Sequence, residues 1–145
     1  IWRQRWGVPV VPVIQFERVG RLDVRVADWQ ARFYAPMRPP WLAISNPALR
    51  ASEAGLMATI TRLVRAVTGA EWLHCLGAGW DPLDTAAWLD LGFDSVDSVA
   101  YLEDARRGRQ WRAQGREWVP SRESWVKIAE ANALATVQTC EGIRA

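Results

Sequence analysis

Residues 89–109, "LDLGFDSVDSVAYLEDARRGR", place Asp94 and Ser95 directly before a run with helical hydrophobic spacing. The Asp94 carboxylate is suited to cap such a helix, because it can accept hydrogen bonds from the backbone N–H groups of Val96 or Asp97. Ser95 then falls at the first helical position, where unpaired N–H groups and the helix dipole favour an attached phosphate. The stretch therefore predicts either ordinary helix capping or an attachment site at Ser95.

Three more helices are predicted around this one. The first spans about residues 52–68, with Ser52 as its cap and Gly69 as its stop. A short helix follows Pro120, and a last helix begins near Asn132 in "ALATVQTC". The predicted core consists of the apolar faces of the four helices: Leu56, Ile60, Leu63, Val64, Val67, Val96, Val99, Leu102, Ile128, Leu134 and Val137.

Residues 1–51 are predicted to form an extended arm. Six of the eight prolines lie in residues 1–47, and proline removes a backbone donor and disfavours helix before it. Residues 13–26 alternate well enough for a β-hairpin with Gly20 near its turn, whereas residues 37–47 look irregular.

The composition of this arm indicates contact with a partner. Residues 1–50 hold eight Arg and three acidic residues, a balance of +5, whereas the whole chain carries +2. Tryptophan is enriched at protein–protein interfaces. A small core could hardly bury all four tryptophans of this arm, which are Trp2, Trp6, Trp29 and Trp41. Another protein is favoured over RNA as the partner, because eight Arg offset by three acids make a weak basic stripe.

Several classes of protein are excluded or disfavoured. Cys75 and Cys140 have no CxxC spacing, so a zinc ribbon or a disulfide framework is excluded, and two buried thiols are favoured. His74 is the only histidine, no nucleophile elbow surrounds it, and a His74–Cys75 metal pair lacks further ligands. No run reaches the roughly 18 apolar residues of a transmembrane helix. The chain begins at Ile1 rather than Met, which a removed targeting peptide would explain, as would other causes.

The segment "DLGFDSVDSVAYLE", with "VPSRESWVKI" at 119–128 and the helix "ANALATV" after it, resembles the acyl carrier and peptidyl carrier proteins. The residues that fall on the family's pattern are Asp90, Leu91, Gly92, Asp94, Ser95, Val96, Val99 and Glu103. The resemblance covers roughly residues 52–145. It implies a mainly α fold, a four-helix carrier-like bundle over 52–145 with an extended arm over 1–51.

The resemblance also implies a function. In that family the serine carries 4′-phosphopantetheine, whose thiol holds an acyl group as a thioester, so Ser95 would be the attachment site. Asp94 would orient the start of the helix. Asp97, Glu103 and Asp104 would belong to an acidic face read by basic partners. Such a protein is not an enzyme itself and holds no metal.

Two departures modify this expectation. The connection before the motif is long and carries Trp72, Trp80 and Trp88, and "RRGRQWRAQGREW" is basic where the family is acidic. The arm favours a subunit built into a larger assembly, because mitochondrial members of the family are fixed subunits of the respiratory chain besides their role in fatty acid biosynthesis. A helical protein that accepts the acyl chain would be a further partner. The alternative is a purely structural subunit of an organellar protein or ribonucleoprotein complex, without a prosthetic group.

A third reading denies the resemblance. "VPVVPVIQF" (8–16) and "WLHCLGAGWDP" (72–82) would be strands of a β/α barrel hydrolase, and "DLGFDSVDS" (90–98) a loop at a strand end. This reading ranks last, because 145 residues are far fewer than the roughly 250 typical of that fold.

Overall fold

A computed structural model describes residues 10–16, 22–45, 53–112, 115–118 and 124–144. Two compact units make up the chain. The first consists of residues 1–76 and 91–95, and the second of residues 77–90 and 96–145.

The first unit alternates strands and helices: β1 (Val13–Gln15), α1 (Val24–Tyr34), a 3-10 turn (Ala35–Met37), β2 (Trp41–Ser45), α2 (Ala54–Thr68) and β3 (Trp72–Leu76). The short strand β4 (Ser95–Val96) lies where the two units join in sequence. The second unit contains α3 (Pro82–Asp90), α4 (Ala100–Arg106), the hairpin of β5 (Arg109–Arg112) and β6 (Gly115–Trp118), and the long helix α5 (Trp125–Arg144).

The main sheet is parallel, and its strands lie side by side in chain order, β1-β2-β3-β4. Helix α1 connects β1 to β2, and α2 connects β2 to β3. Because such crossovers are right-handed, both helices are expected on the same face of the sheet. The two helices do contact each other. β5 and β6 form a separate antiparallel pair.

The core of the first unit lies on the helix-covered face of the sheet. Side chains of a strand alternate between faces, so Leu73 and Cys75 are buried while Trp72 and His74 point the other way. The strand register aligns the buried residues of neighbouring strands in rows, with Ile44 beside Cys75. The large side chains with no exposed surface that build this core are Ile14, Leu42, Ile44, Met57, Ile60, Val64 and Leu73.

Local signals explain where the two helices of this unit begin or end. Asp23 caps α1, accepting a hydrogen bond of 2.8 Å from the backbone N–H of Arg25, and this bond lowers the pKa of the Asp23 carboxyl. Helix α2 ends at Gly69, which adopts a left-handed conformation with φ of 69°. The predicted helix is thus confirmed over Ala54–Thr68 together with its glycine stop, while residue 52 lies outside the described ranges.

The second unit packs α5 against α3, α4 and β5. One of its apolar clusters consists of Ala105, Ile128 and Ala129, and Trp88 and Trp111 are also almost fully buried in this unit. Asn132 is fully buried on α5, where its side chain accepts from the N–H of Trp111 and donates to the carbonyls of Tyr101 and Arg109. The side chain of one asparagine therefore ties three elements of this unit together.

The predicted four-helix bundle is wrong, because the protein is mixed α/β with five helices among the described residues and a four-stranded parallel sheet. The extended arm is also wrong, since its residues include helix α1 and strand β2. The hairpin predicted over 13–26 is wrong as well: Val13–Gln15 pairs with β2 in parallel, whereas Val24 begins α1. Gly20 and residue 51 lie outside the described part of the chain.

Details of the predicted helices change too. The helix expected from Asp94 begins only at Ala100, and Val99 is 68% exposed rather than in the core. Leu134 and Val137 are likewise exposed on α5. α5 is one continuous helix from residue 125, so Asn132 lies inside it and caps nothing. On α5 the helical spacing was predicted correctly, but spacing does not show which face of a helix another element covers, and Val96 belongs to strand β4 rather than to a helix.

The segment between Gly69 and Asp94 was predicted as a connection, yet it contains β3 and α3. Pro82 opens α3, a position where its missing N–H costs no hydrogen bond. Among the helices of the described residues, none is both long enough and apolar enough to span a bilayer.

Candidate functional site

Asp94 anchors β4 to β3 and does not cap a helix. Its carboxylate accepts a hydrogen bond of 2.7 Å from the N–H of Leu73 and forms an ion pair with Arg65 of α2. Its own N–H donates to the carbonyl of Leu73 at 2.9 Å. These contacts reach 21 and 29 residues along the chain, so the capping pattern around Asp94 could not reveal them.

Ser95 lies half-buried in β4, not exposed at the first turn of a helix. Its Oγ accepts a hydrogen bond of 2.8 Å from the indole N–H of Trp72 and lies 2.8 Å from Nδ1 of His74. The free helical N–H groups that would favour a phosphodiester at Ser95 are thus absent from its described contacts. The carrier-type geometry predicted for this serine is wrong.

Asp97 lies just past β4, and Gly77 lies just past β3. Asp97 is exposed, and its Oδ1 accepts a hydrogen bond of 2.6 Å from the N–H of Gly77. Parallel α/β sheets bind their ligands beyond the carboxyl ends of their strands, so an oriented carboxylate at this position is a candidate functional group.

A cavity of about 320 Å³ opens next to these two residues and belongs entirely to the second unit. Gly77 and Ser98, the neighbour of Asp97, contribute to its wall. The remaining lining residues come from the loop after Gly77, from α4 and from the hairpin: Trp80, Val99, Ala100, Glu103, Asp104, Arg107, Arg109 and Arg116. Trp80 is 58% exposed and offers a flat apolar surface there.

Asp104 organises the arginines of this cavity. It is only 4% exposed, and its carboxylate accepts a hydrogen bond of 2.8 Å from the indole N–H of Trp111. Arg116 Nε lies 3.1 Å and Arg109 Nη1 3.5 Å from the same carboxylate. Arg116 also donates to the carbonyl of Trp80 at 2.6 Å. These bonds hold two guanidinium groups in place.

The three acids predicted to form one acidic face, Asp97, Glu103 and Asp104, do not share the same exposure or the same contacts. Glu103 is exposed, but it pairs with Arg106 and Arg107 of its own helix and the turn after it. Asp104 is buried in the arginine network and cannot be read by a partner. Asp97 remains exposed.

The tryptophans predicted to contact partners have different surroundings. Trp29 is exposed on α1 and stacks near Phe33. Trp41 begins β2 and stacks on Trp72 with ring centres 5.5 Å apart. Trp2 and Trp6 lie outside the described residues.

Nothing in the described ranges forms a cluster of three metal-ligating side chains. Cys75 is buried in β3, as expected, and the side chain of Cys140 is not among those described. His74 does have a polar neighbour that the sequence did not suggest, since Ser95 follows 21 residues later and only the pairing of β3 with β4 joins them. A signal for the arginine-lined cavity did exist: residues 106–116 hold five Arg and no acid.

Comparisons with models of known protein families, with curated proteins and with solved structures give no match to this chain. The carrier function, its prosthetic group and a mitochondrial location stay predictions, and they have lost the helix-start geometry on which they rested. The geometry after β3 and β4 therefore carries the functional argument.

Proposed function

We propose that this chain carries a ligand site of the β/α-enzyme type at the arginine-lined cavity, with Asp97 as its reactive carboxylate. The observation that carries the proposal is the position of the site. Gly77 and Asp97 directly follow two neighbouring parallel strands, which is where α/β folds bind ligands and place catalytic residues. The strands near 13–15 and 72–76 are those expected in the β/α reading of the sequence.

The charge of the cavity favours an anionic ligand. Its lining includes three arginines, Arg107, Arg109 and Arg116, and two acids, Glu103 and Asp104, which leaves a formal charge of three minus two, or +1. Arginine presents a planar fork of donors that fits phosphate and carboxylate oxygens. A phosphate or carboxylate group is therefore the chemistry that these side chains would recognise.

The cavity is also partly built in advance of binding. Asp104 and the carbonyl of Trp80 already hold Arg116, and Asp104 holds Arg109. Side chains fixed before binding lose less conformational entropy when the ligand arrives. Trp80 adds an apolar surface on which a planar ring of the ligand can pack.

Asp97 does not itself line the cavity, but its neighbour Ser98 and its hydrogen-bond donor Gly77 do, and we assign the chemistry to its carboxylate on that basis. The N–H of Gly77 orients one of its oxygens, and Ser98, the next residue, lines the cavity. A carboxylate held in this way can accept a proton from a substrate or attack it as a nucleophile.

Anion binding is tested by titrating the full chain with inorganic pyrophosphate and following tryptophan fluorescence. We expect saturable binding that Arg107→Gln weakens at least about tenfold, since a hydrogen bond to a charged group contributes about 1.5–3 kcal/mol. Arg107 pairs only loosely with the exposed Glu103, at 3.8 Å, whereas Arg109 and Arg116 contact the buried Asp104, so the replacement of Arg107 should preserve the fold. Arg112→Gln is the matched control, because Arg112 pairs with Glu117 and does not line the cavity. Equal affinities for both variants would refute the site.

The role of Asp97 is tested separately with Asp97→Asn. Pyrophosphate affinity should be retained or increased, because a negative charge near the bound anion is removed. Turnover of a panel of phosphate-bearing esters and glycosides, followed by mass spectrometry, should fall at least about 100-fold. Asp90→Asn, at the exposed end of α3, should behave like the parent. A variant Asp97→Asn with the parent's turnover would remove the catalytic part of the proposal and leave the anion site.

A further inference from the structure

The face of the parallel sheet opposite the core carries polar and aromatic side chains. In the strand register, Trp41 lies beside Trp72, and Ala43 lies beside His74. Trp41 is 55% and Trp72 38% exposed, so solvent and small molecules reach the tryptophan end of this face, whereas Ala43, beside His74, is only 3% exposed. The residues on it belong to a different unit from those of the arginine-lined cavity.

Contacts of Asp94 and Ser95 show that Ser95 points to this face. Asp94 reaches Arg65 of α2, on the helix-covered side. Ser95 reaches Trp72 and His74, whose side chains alternate with the buried Leu73. The anchoring of Asp94 to β3 and α2 thus holds the Ser95 hydroxyl against the imidazole.

The donor and acceptor inventory defines what the hydroxyl can do. An indole N–H can only donate, so Ser95 Oγ accepts the bond from Trp72. The hydroxyl proton is then available for Nδ1 of His74, 2.8 Å away, when that nitrogen carries no proton. A serine hydroxyl that donates to a neutral imidazole is the ground state from which a serine nucleophile is activated.

We propose that Ser95 is a reactive serine, with His74 as its general base, and that it takes acyl groups from carboxylic esters. Ser95 Oγ attacks the carbonyl carbon of the ester while its proton passes to His74 Nδ1. The C–O bond to the alcohol then breaks, and the alcohol leaves with the proton from His74. Water, deprotonated by the same imidazole, hydrolyses the acyl-serine and restores both residues, so no oxidant or other co-reactant is needed.

Trp72 supports the attacking oxygen in this scheme. Its N–H donates to Oγ and so stabilises the negative charge that develops there as the proton leaves. Its stacking on Trp41 fixes the indole ring that carries this donor. The scheme is independent of the anion site proposed above, and neither depends on the other.

The primary test is labelling of the full chain with a fluorophosphonate probe, which forms a phosphonyl ester with an activated serine and releases fluoride. Peptide mass spectrometry should find the adduct on Ser95. Ser98 is the internal control, because its hydroxyl accepts from the N–H of Ala100 and is expected to remain unlabelled. No adduct on Ser95, or equal adducts on both serines, would overturn the proposal.

The role of His74 is tested by the rate of labelling and of p-nitrophenyl acetate hydrolysis. His74→Ala should slow both about 100-fold, the typical contribution of a general base. Added imidazole should raise the rates of this variant about tenfold, because it can occupy the space of the missing ring and accept the proton. If His74 had a purely structural role, imidazole would not raise the rates. Trp72→Phe keeps the stacked ring without the donor and should slow both reactions about tenfold. An unchanged rate in His74→Ala would remove the base from the scheme.

Discussion

The two compact units are stabilised by different kinds of buried side chain. The first buries branched and long apolar residues of a parallel sheet and the helix α2, among them Leu42, Ile44 and Ile60. The second has a small apolar cluster of two alanines and one isoleucine besides the buried Trp88 and Trp111, and it buries Asp104 and Asn132, both hydrogen-bonded. A core of large apolar side chains depends on filled volume, whereas a buried polar network depends on every partner being present.

The difference also separates the two candidate sites. In the first unit the helices cover one face of the sheet, and the Ser95–His74 pair lies on the other face, away from the apolar core. In the second unit Asp104 is both part of the stabilising network and the group that positions Arg109 and Arg116. In the first unit, substitutions at the candidate site should therefore leave stability largely unchanged. In the second unit, a substitution of Asp104 should lower both stability and ligand binding.

The largest expected effect is the loss of packing in the first unit. Leu42→Ala should lower the free energy of unfolding by about 3–4 kcal/mol, because it removes buried methyl groups and leaves a cavity. Urea denaturation followed by circular dichroism measures the change. Val11→Ala, at an exposed position before β1, should change it by less than about 0.5 kcal/mol. Similar small changes for both would mean that the sheet is not packed as described.

The second unit should respond most to the loss of a charge. Asp104→Ala leaves the indole N–H of Trp111 and the guanidinium groups of Arg109 and Arg116 without their shared partner. Because both arginines are about one-third exposed and water replaces part of the lost bonding, we expect a loss of about 2–3 kcal/mol. The same variant should weaken pyrophosphate binding. Glu103→Gln, on the exposed side of α4, should leave the unfolding free energy nearly unchanged.

Val99 distinguishes the two accounts of α4. A helix that began at Asp94 with Val99 in its apolar stripe would be unfolded by Val99→Asp, since an unpaired charge would be buried. With Val99 68% exposed, just before α4, the change in unfolding free energy should stay below about 0.5 kcal/mol. Thermal unfolding of Val99→Asp next to the parent decides the matter, and a strongly lowered melting temperature would restore the bundle-type helix.

The smallest effect concerns the pH dependence of the first unit. The backbone N–H of Arg25 lowers the pKa of Asp23 below its usual 3.8, so the ionised carboxylate stabilises the fold above that value. This stabilisation is lost as the pH falls through the lowered pKa. Asp23→Asn keeps a capping side chain without the charge, so its urea midpoint should fall less than the parent's between pH 5 and pH 2. Parallel curves would show that Asp23 contributes nothing to acid unfolding.

The helices that the sequence predicted correctly are those whose signals are local. Helix α2 has apolar residues at helical spacing and ends at a glycine with positive φ, and both features belong to one short segment. Ile128 is buried on α5, where periodicity expected it, but Leu134 and Val137 on the same helix are exposed. Spacing predicts an apolar stripe, whereas the length of stripe that is covered depends on the elements that pack against it.

Strand β2 was missed because it is short and lies in proline-rich surroundings. β2 follows Pro39 and Pro40, which argued against regular structure, yet Trp41–Ser45 pairs with both β1 and β3. The central position of β2 in the row β1-β2-β3 stabilises a run whose own propensity is weak.

Asp94 and Ser95 show most clearly what each level of structure decides. The sequence alone determined that an acid and a serine precede a helix, and α4 does begin a few residues later, at Ala100. Only the tertiary structure decided that Asp94 bonds to Leu73 and Arg65, and that Ser95 meets His74 in a strand. The physical reason is that capping, periodicity and glycine stops depend on neighbours within a turn or two. The pairing of β3 with β4 and the ion pair of Asp94 with Arg65 join residues about twenty or more positions apart, where spacing in the sequence carries no signal.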